Sequence, residues 1–196
     1  MNKKKPALFL DRDGTINIDH VYINDPHLIE LLPGVGEAIR KAQNAGFKII
    51  VVTNQSGVGR GIIDPKVLPL IHGRLDELLT EKSASIDSYK SCIHTPEENC
   101  SCRKPSPQLV FEATQELNID LTRSYFIGDK LSDVATGKAS GCFKNILVRT
   151  GKGEEEERVY ILANPKNPNE KPDYVATDLS AAVDWILVSS LPQNFQ

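Results

Sequence analysis

The sequence predicts an α/β protein with a doubly wound, mostly parallel sheet. Short apolar runs alternate with segments of helical periodicity along almost the whole chain. Several runs, such as Ile49-Ile50-Val51-Val52, are apolar at every position, which suits strands covered on both faces. Polar residues, in turn, collect where these runs end.

The elements follow in order. Ala7–Leu10 reads as the first strand. Val35, Ala38, Ile39, Ala42 and Ala45 keep the i, i+3, i+4, i+7 spacing of a helix, and Gly46 supplies the stop. A strand over Lys48–Val52 comes next, then a helix carrying Val67, Leu68, Ile71, Leu75, Leu78 and Leu79 on one stripe. After a strand over Ser88–Ile93, a third helix is expected with Ser106 as N-cap and Pro107 in its first turn. Its buried face is Leu109, Val110, Ala113 and Leu117. Tyr125–Ile127, Ile146–Val148 and Tyr174–Ala176 complete the strands. A last helix after Asp178 carries Leu179, Ala182, Val183, Ile186 and Leu187. Glu154 to Glu157 reads as a solvated helix face or loop. Asn164 to Pro172 reads as a surface loop, because a strand and a helix follow it. No internal repeat is visible, and residues 1–196 are expected to form a single domain.

Composition narrows the function classes. With 196 residues, 40% hydrophobic and 25% charged, the chain can bury one sizeable core, and it is neither collagen-like nor disordered. Four cysteines are too few for a disulfide scaffold. A formal net charge of −3 offers no basic surface for nucleic acid. No apolar run approaches the ~18 residues that span a bilayer. The basic N-terminus is followed by only Ala7 to Leu10 before Asp11, too little for a signal peptide. These features lead us to expect a soluble cytoplasmic protein. It is expected to be a monomer, since no apolar stripe is left unexplained.

Four strand ends carry chemistry. The first runs into Asp11-Arg12-Asp13-Gly14-Thr15 and the second into Thr53-Asn54-Gln55-Ser56-Gly57. The third leads to a Cys/His segment and Arg103-Lys104, the fourth to Gly128-Asp129-Lys130 with Asp133 beyond. Ligands of open parallel sheets bind outside these carboxyl ends. Asp11 and Asp13, two apart in extended chain, point the same way. Joined by Asp129, they form an oxygen-rich set suited to Mg²⁺. The Thr53 hydroxyl and the Lys104 ammonium suit phosphoryl oxygens, and a carboxylate can serve as the nucleophile of phosphoryl transfer.

Cys92, His94, Cys100 and Cys102 offer three thiolates and one imidazole within eleven residues, a set suited to tetrahedral Zn²⁺. Four protein ligands leave no open position. The zinc loop 92–102 is therefore expected to be structural and to place Arg103 and Lys104. Cys142 reads as a small buried hydrophobe, and His72 as an ordinary helix-surface histidine. Arg60 is either a solvated loop charge or a substrate contact.

These strand ends resemble a known family. Asp11-Arg12-Asp13-Gly14-Thr15, Thr53, Lys104 before Pro105, and Gly128-Asp129-Lys130-x-x-Asp133 are similar, in order, to the four motifs of haloacid dehalogenase-type phosphatases. The resemblance implies a Rossmann-like fold with no large cap domain. It makes Asp11 the nucleophile and Asp13 the general acid, then base. Thr53 and Lys104 hold the phosphoryl group, Asp129 anchors Mg²⁺, and Asp133 supports from behind. The zinc loop and the segments 11–22, 53–61 and 148–151 resemble a small branch of the family, the phosphatases of heptose bisphosphate and of histidinol phosphate. Carried over by position, this puts Asp19, His20, Tyr22, Asn54, Gln55, Ser56, Arg103 and Lys130 near a small sugar phosphate substrate. The implied reaction removes the C7 phosphate of D-glycero-D-manno-heptose 1,7-bisphosphate through an aspartyl-phosphate, on the route to activated heptose for lipopolysaccharide. Histidinol phosphate is the alternative substrate. A non-catalytic zinc-stabilised binding module and a phospho-accepting receiver are the readings outside enzymatic hydrolysis.

Overall fold

The computed structural model describes residues 3–162 and 170–189. Residues 164–169 of the loop expected over Asn164–Pro172 lie outside that range. Six strands form one sheet: β1 (Ala7–Leu10), β2 (Lys48–Asn54), β3 (Ser88–Cys92), β4 (Tyr125–Gly128), β5 (Lys144–Val148) and β6 (Tyr174–Ala176). Each lies within two residues, at either end, of the bounds its apolar run predicts. The helices are α1 (Val35–Asn44), α2 (Ser56–Gly59), α3 (Val67–Thr80), α4 (Gln108–Leu117), α5 (Leu131–Ser140), α6 (Gly153–Leu162) and α7 (Leu179–Ser189).

Strand order is β3-β2-β1-β4-β5-β6, and every pairing is parallel. The chain winds outward from β1 through β2 to β3, then returns to start again at β4. Order thus reverses between β1 and β4, which opens a crevice at their carboxyl ends. Alternation along β1 shows why the strands are solidly apolar. Leu8 and Leu10 enter one core with Ile49 and Val51, while Ala7 and Phe9 enter the opposite core with Ile50 and Val52. α1, α3 and α7 cover the first face; α4 covers the second, where Phe9 stacks on Phe126 with ring centroids 6.2 Å apart. Removing a buried ring of this kind costs about 3–5 kcal/mol.

Three departures from expectation have local causes. α4 begins at Gln108, and the residue before it is Pro107, not Ser106. The Ser106 hydroxyl still accepts the Gln108 N–H at 3.3 Å, but it donates back to Ser101 O and so ties down the loop after the cysteines. α5 has no apolar stripe to announce it, because it buries Ala135, Thr136, Gly137 and Ser140 along with Leu131 and Val134. It presses so close to the sheet that a Cβ on Gly137 would come within 2.6 Å of Phe126 Cβ. His72 is half-buried and not an ordinary surface histidine. Its ring lies 4.2 Å from that of Tyr89 and nearly parallel to it, and burial pushes its pKa down to about 4.

Candidate active site

The end of β1 is a tight turn. The carbonyl of Arg12 accepts the N–H groups of Thr15, Ile16 and Asn17 at 3.3, 2.8 and 3.2 Å, and Gly14 sits at φ +81°. Asp11 is left buried at the switch point, its own N–H donated to Ile127 O of β4 at 3.0 Å. Lys104 reaches this carboxyl across β2. Its Nζ lies 2.8 Å from Asp11 Oδ1 and 2.6 Å from Asp133 Oδ1, and donates to Val52 O at 2.8 Å. From the other side Lys130 Nζ lies 3.7 Å from Asp11 Oδ2 and 3.3 Å from Asp129 Oδ1.

Burial and charge divide the three carboxyls. Burial pushes Asp11 up, but Lys104 and Lys130 together outweigh it and hold Asp11 below the ordinary carboxylate value. Asp129 goes the other way. Burial, then the charge of Asp11, raise it to about 7, and Lys130 only partly offsets them. Asp133 is raised chiefly by burial, against the pull of Lys104. Both lysines are held above their ordinary value, because the surrounding carboxylates outweigh the burial of each ammonium.

Carboxylate oxygens of Asp11, Asp129 and Asp133 all lie within 4.8 Å of one another. Three carboxylates against two ammonium groups leave one negative charge in a buried space, and Asp129 Oδ1 makes no hydrogen bond there. This donor set fits a hard divalent cation. Asp133 is already engaged, with Oδ1 on Lys104 and Oδ2 accepting the Lys130 N–H at 3.0 Å. Asp11 is paired with Lys104 in the same way, so the geometry groups all three carboxyls, and it is the family resemblance that singles out Asp11 and Asp129 as the pair that would hold a metal. The expected third ligand, the Asp13 carboxylate, is not part of the group. Its oxygens are bound by Arg12, Asn17 and Gln55.

A glycine-built cradle holds Asp129. Its Oδ2 accepts the Lys152 N–H at 2.9 Å, and a Cβ added to either Gly14 or Gly151 would collide with that oxygen. The loop after β5 is fastened to the turn after β1 by Thr150 Oγ1, which donates to Gly14 O at 2.6 Å. Sequence reasoning had only the likeness of residues 148–151 to point to this loop.

The crevice is a cleft of about 360 Å³. Asp11, Asp13, Thr53 and Lys104 line it, and so do Asp19, Tyr22, Asn54, Ser56, Arg103 and Lys130 from the expected substrate set. His20 and Gln55 are not among its lining residues. Val21, Ser132 and Lys152 line it and were not anticipated. Val21 is at φ +64° in a turn closed by its N–H donating to Asp19 Oδ1 at 2.8 Å. Asn54 also pins the backbone of Lys104. Its amide oxygen accepts the Lys104 N–H at 3.1 Å, and its Nδ2 donates to Lys104 O at 3.3 Å. Arg60 reaches Glu97 at 3.6 Å and does not line the cleft.

Ligand atoms of Cys92, His94, Cys100 and Cys102 also lie within 4.8 Å of one another. Neighbouring atoms are 3.1 to 3.6 Å apart, with Cys92 Sγ at 3.1 Å from Cys102 and 3.5 Å from Cys100. Thiolates around a zinc with bonds of about 2.3 Å pack at similar separations. All four cysteines of the chain are free of disulfides. Arg103 Nη1 donates to His94 O at 3.3 Å, so the loop carries both Arg103 and Lys104 toward the cleft.

Comparison with known proteins agrees with this geometry. The family model described as haloacid dehalogenase-like hydrolase matches residues 5–141. The D-glycero-beta-D-manno-heptose-1,7-bisphosphate 7-phosphatase of Escherichia coli K12 is 39% identical, over 98% of this chain and 95% of its own length. Its counterpart from Yersinia pestis is 34% identical, over 96% and 93%. Among solved structures, the D,D-heptose 1,7-bisphosphate phosphatase from B. bronchiseptica, complexed with magnesium and phosphate, superposes with a TM-score of 0.82 at 30% identity. That match covers 94% of this chain and 99% of the other. A putative HAD-like phosphatase from Mesorhizobium loti superposes at 0.76 with 34% identity, covering 94% of this chain and 88% of its own. With Asp11 and Asp129 facing each other across the switch point of a parallel sheet, the chain belongs to the haloacid dehalogenase-like hydrolase family.

Proposed function

We propose that this protein is a Mg²⁺-dependent phosphatase that removes the C7 phosphate of D-glycero-D-manno-heptose 1,7-bisphosphate. The observation that carries the reading is Asp11, held ionised between Lys104 and Lys130 beside a buried Asp129. A carboxylate kept charged and stripped of water on the floor of a cleft is suited to attack phosphorus. Asp11 forms a bond to phosphorus as the bond to the sugar oxygen breaks, and Asp13 gives that oxygen a proton. Asp13 then takes a proton from the water that cleaves the aspartyl-phosphate. Lys104 and the Thr53 hydroxyl hold phosphoryl oxygens throughout. Asp11 and Asp129 would hold the Mg²⁺, which supplies charge neutralisation for the phosphoryl group. Zn²⁺ on the four Cys/His ligands would stiffen the loop that delivers Arg103 and Lys104.

The named relatives support the choice of heptose bisphosphate, as do two further cations in the cleft wall, Arg103 and Lys152. They reach the cleft from opposite sides of the β1–β4 switch point, through the loops after β3 and β5, so a second phosphate meets a positive group on either side. Four free cysteines support a cytoplasmic setting. None of the described helices is long and apolar enough to cross a membrane. We read the working unit as a monomer.

Phosphate release across heptose 1,7-bisphosphate, fructose bisphosphate, histidinol phosphate and a chromogenic aryl phosphate tests the assignment. Heptose bisphosphate is expected to lead in kcat/KM by tenfold or more, since each charge-assisted bond to the second phosphate is worth ~1.5–3 kcal/mol. A lead for histidinol phosphate would move the assignment to that substrate and leave the roles of Asp11 and the metals unchanged.

A further inference from the structure

Gln55 is one of two residues of the expected substrate set that do not line the cleft. It is 5% exposed, and its main-chain N–H donates to Cys92 O at 2.6 Å, which fixes its place behind the end of β2. Its side-chain amide is divided between two reacting groups. Nε2 donates to Asp13 Oδ2 at 2.8 Å and to Thr53 Oγ1 at 2.9 Å. The remaining positions around Asp13 are filled by Asn17 Nδ2, at 2.9 Å from Oδ1, and by the fully buried Arg12, whose Nε and Nη2 lie 2.8 to 3.0 Å from the carboxylate oxygens.

A carboxylate has about four in-plane acceptor sites. Arg12 Nε and Asn17 fill the sites on Oδ1, while Oδ2 is met by Gln55 and by an Arg12 Nη2 that it shares with Oδ1, so the direction in which Asp13 faces is set by its neighbours and the proton it delivers takes the place of that shared contact on Oδ2. Thr53 is set in the same way. Because its oxygen accepts from Gln55, its own hydroxyl proton is left to donate elsewhere, toward the cleft it lines.

We propose that Gln55 is a positioning residue, one amide that aims both Asp13 and Thr53 and so supports proton delivery to an alcohol leaving group. The inference rests on the reading of Asp13 as the acid–base group. In the step concerned, the Asp11–phosphorus bond forms, the bond from phosphorus to the ester oxygen breaks, and the Asp13 proton passes to that oxygen. A sugar alkoxide needs this proton, whereas a nitrophenolate departs without one. Misaiming Asp13 therefore slows one class of ester and spares the other.

The test is single-turnover release of the leaving group, with enzyme in excess, from heptose 1,7-bisphosphate and from p-nitrophenyl phosphate. This readout isolates the first chemical step. General acid catalysis contributes roughly 10²- to 10⁴-fold. On that scale Gln55→Leu is expected to slow the sugar ester about 30-fold and the aryl ester by no more than about threefold. Gln55→Met, which keeps the length and loses the donor without adding charge, should show the same split, and stands in should the leucine variant fail to fold. Loss of the Thr53 alignment should raise KM for both substrates alike. Equal slowing of both esters, or of neither, overturns the inference. Asp13→Asn serves as the control. If it discriminates strongly between the esters while the Gln55 variants do not, the inference alone falls. If Asp13→Asn treats the two alike, the reading of Asp13 falls with it.

Discussion

Gly14 and Gly151, from turns 137 positions apart in the chain, meet backbone to backbone: a Cβ on Gly151 would lie 2.6 Å from Gly14 Cα. Both have positive φ, +81° and +58°, so each is a position where glycine is required on two counts. Their contact leaves a slot only as wide as the Asp129 carboxylate. Gly151→Ala is therefore expected to push Asp129 away from Asp11. Misplacement of about 1 Å costs on the order of 100-fold in rate. Mg²⁺ titrations of activity should show a weaker apparent affinity together with lower kcat. An alanine variant with unchanged Mg²⁺ dependence would show that the slot does not set the metal site.

Asp11→Asn removes the attacking charge but keeps the side chain's size. The nucleophile and one of the two proposed metal-facing carboxylates are lost together, so turnover should fall by well over about 100-fold. Lys104 retains Asp133 at 2.6 Å, which leaves its ammonium paired and the fold intact. Residual activity above roughly a tenth of wild type would remove Asp11 from the role of nucleophile.

The zinc cluster is testable apart from turnover. Elemental analysis is expected to find about one zinc per chain after dialysis, and Cys102→Ser should abolish that retention. Because Lys104 follows Cys102 by two residues and is fixed by Asn54, loss of zinc should raise KM as well as lower Tm. Structural zinc contributes folding free energy directly. Protein that binds no zinc while all four thiols titrate freely would dismiss the site.

Arg103 offers a separate check on specificity. Its side chain lines the cleft and is half-buried against His94 O. Arg103→Ala should reduce kcat/KM for heptose bisphosphate by about 10- to 100-fold, the worth of one charge-assisted bond. The rate on p-nitrophenyl phosphate should change far less. Equal loss on both substrates would place Arg103 at the transferred phosphoryl group instead.

What the sequence made legible follows from where the physics is local. Strand identity comes from runs such as Ile49 to Val52, where both faces are buried and every position must be apolar. The reacting groups are legible because Asp11, Thr53 and Asp129 sit at strand ends and Lys104 follows β3 through the Cys/His loop, so the carboxyl edge of a parallel sheet gathers them. Side-chain direction was not legible. The two-residue spacing of Asp11 and Asp13 suggested a shared metal, but the turn at Gly14 carries Asp13 to Arg12, Asn17 and Gln55, contacts that no local pattern encodes. α5 was missed because a helix packed on small residues has no apolar stripe. Lys152 was missed because its importance depends on Asp129, a residue 23 positions earlier in the chain.

His72 gives a prediction for stability against pH. Its ring is stacked on Tyr89, and its Nε2 is buried without a hydrogen-bond partner. Burial first, then the nearby charge of Arg12, push its pKa to about 4, against the smaller opposing effect of Asp13. In the unfolded chain the imidazole titrates near 6.5. Between these values the unfolded state holds a proton that the folded state does not, so acid favours unfolding. The contribution of neutral His72 is complete above about pH 6.5 and is lost progressively as the pH falls toward 4, by on the order of 1 kcal/mol per pH unit. His72→Phe keeps a ring against Tyr89 and removes the titration. Denaturant unfolding at pH 7.5, 5.5 and 4.5 is expected to show a stability loss in the wild type that is shallower in the variant. Parallel losses in the two proteins would show that the acid sensitivity arises elsewhere, most directly among the carboxylates around Lys104.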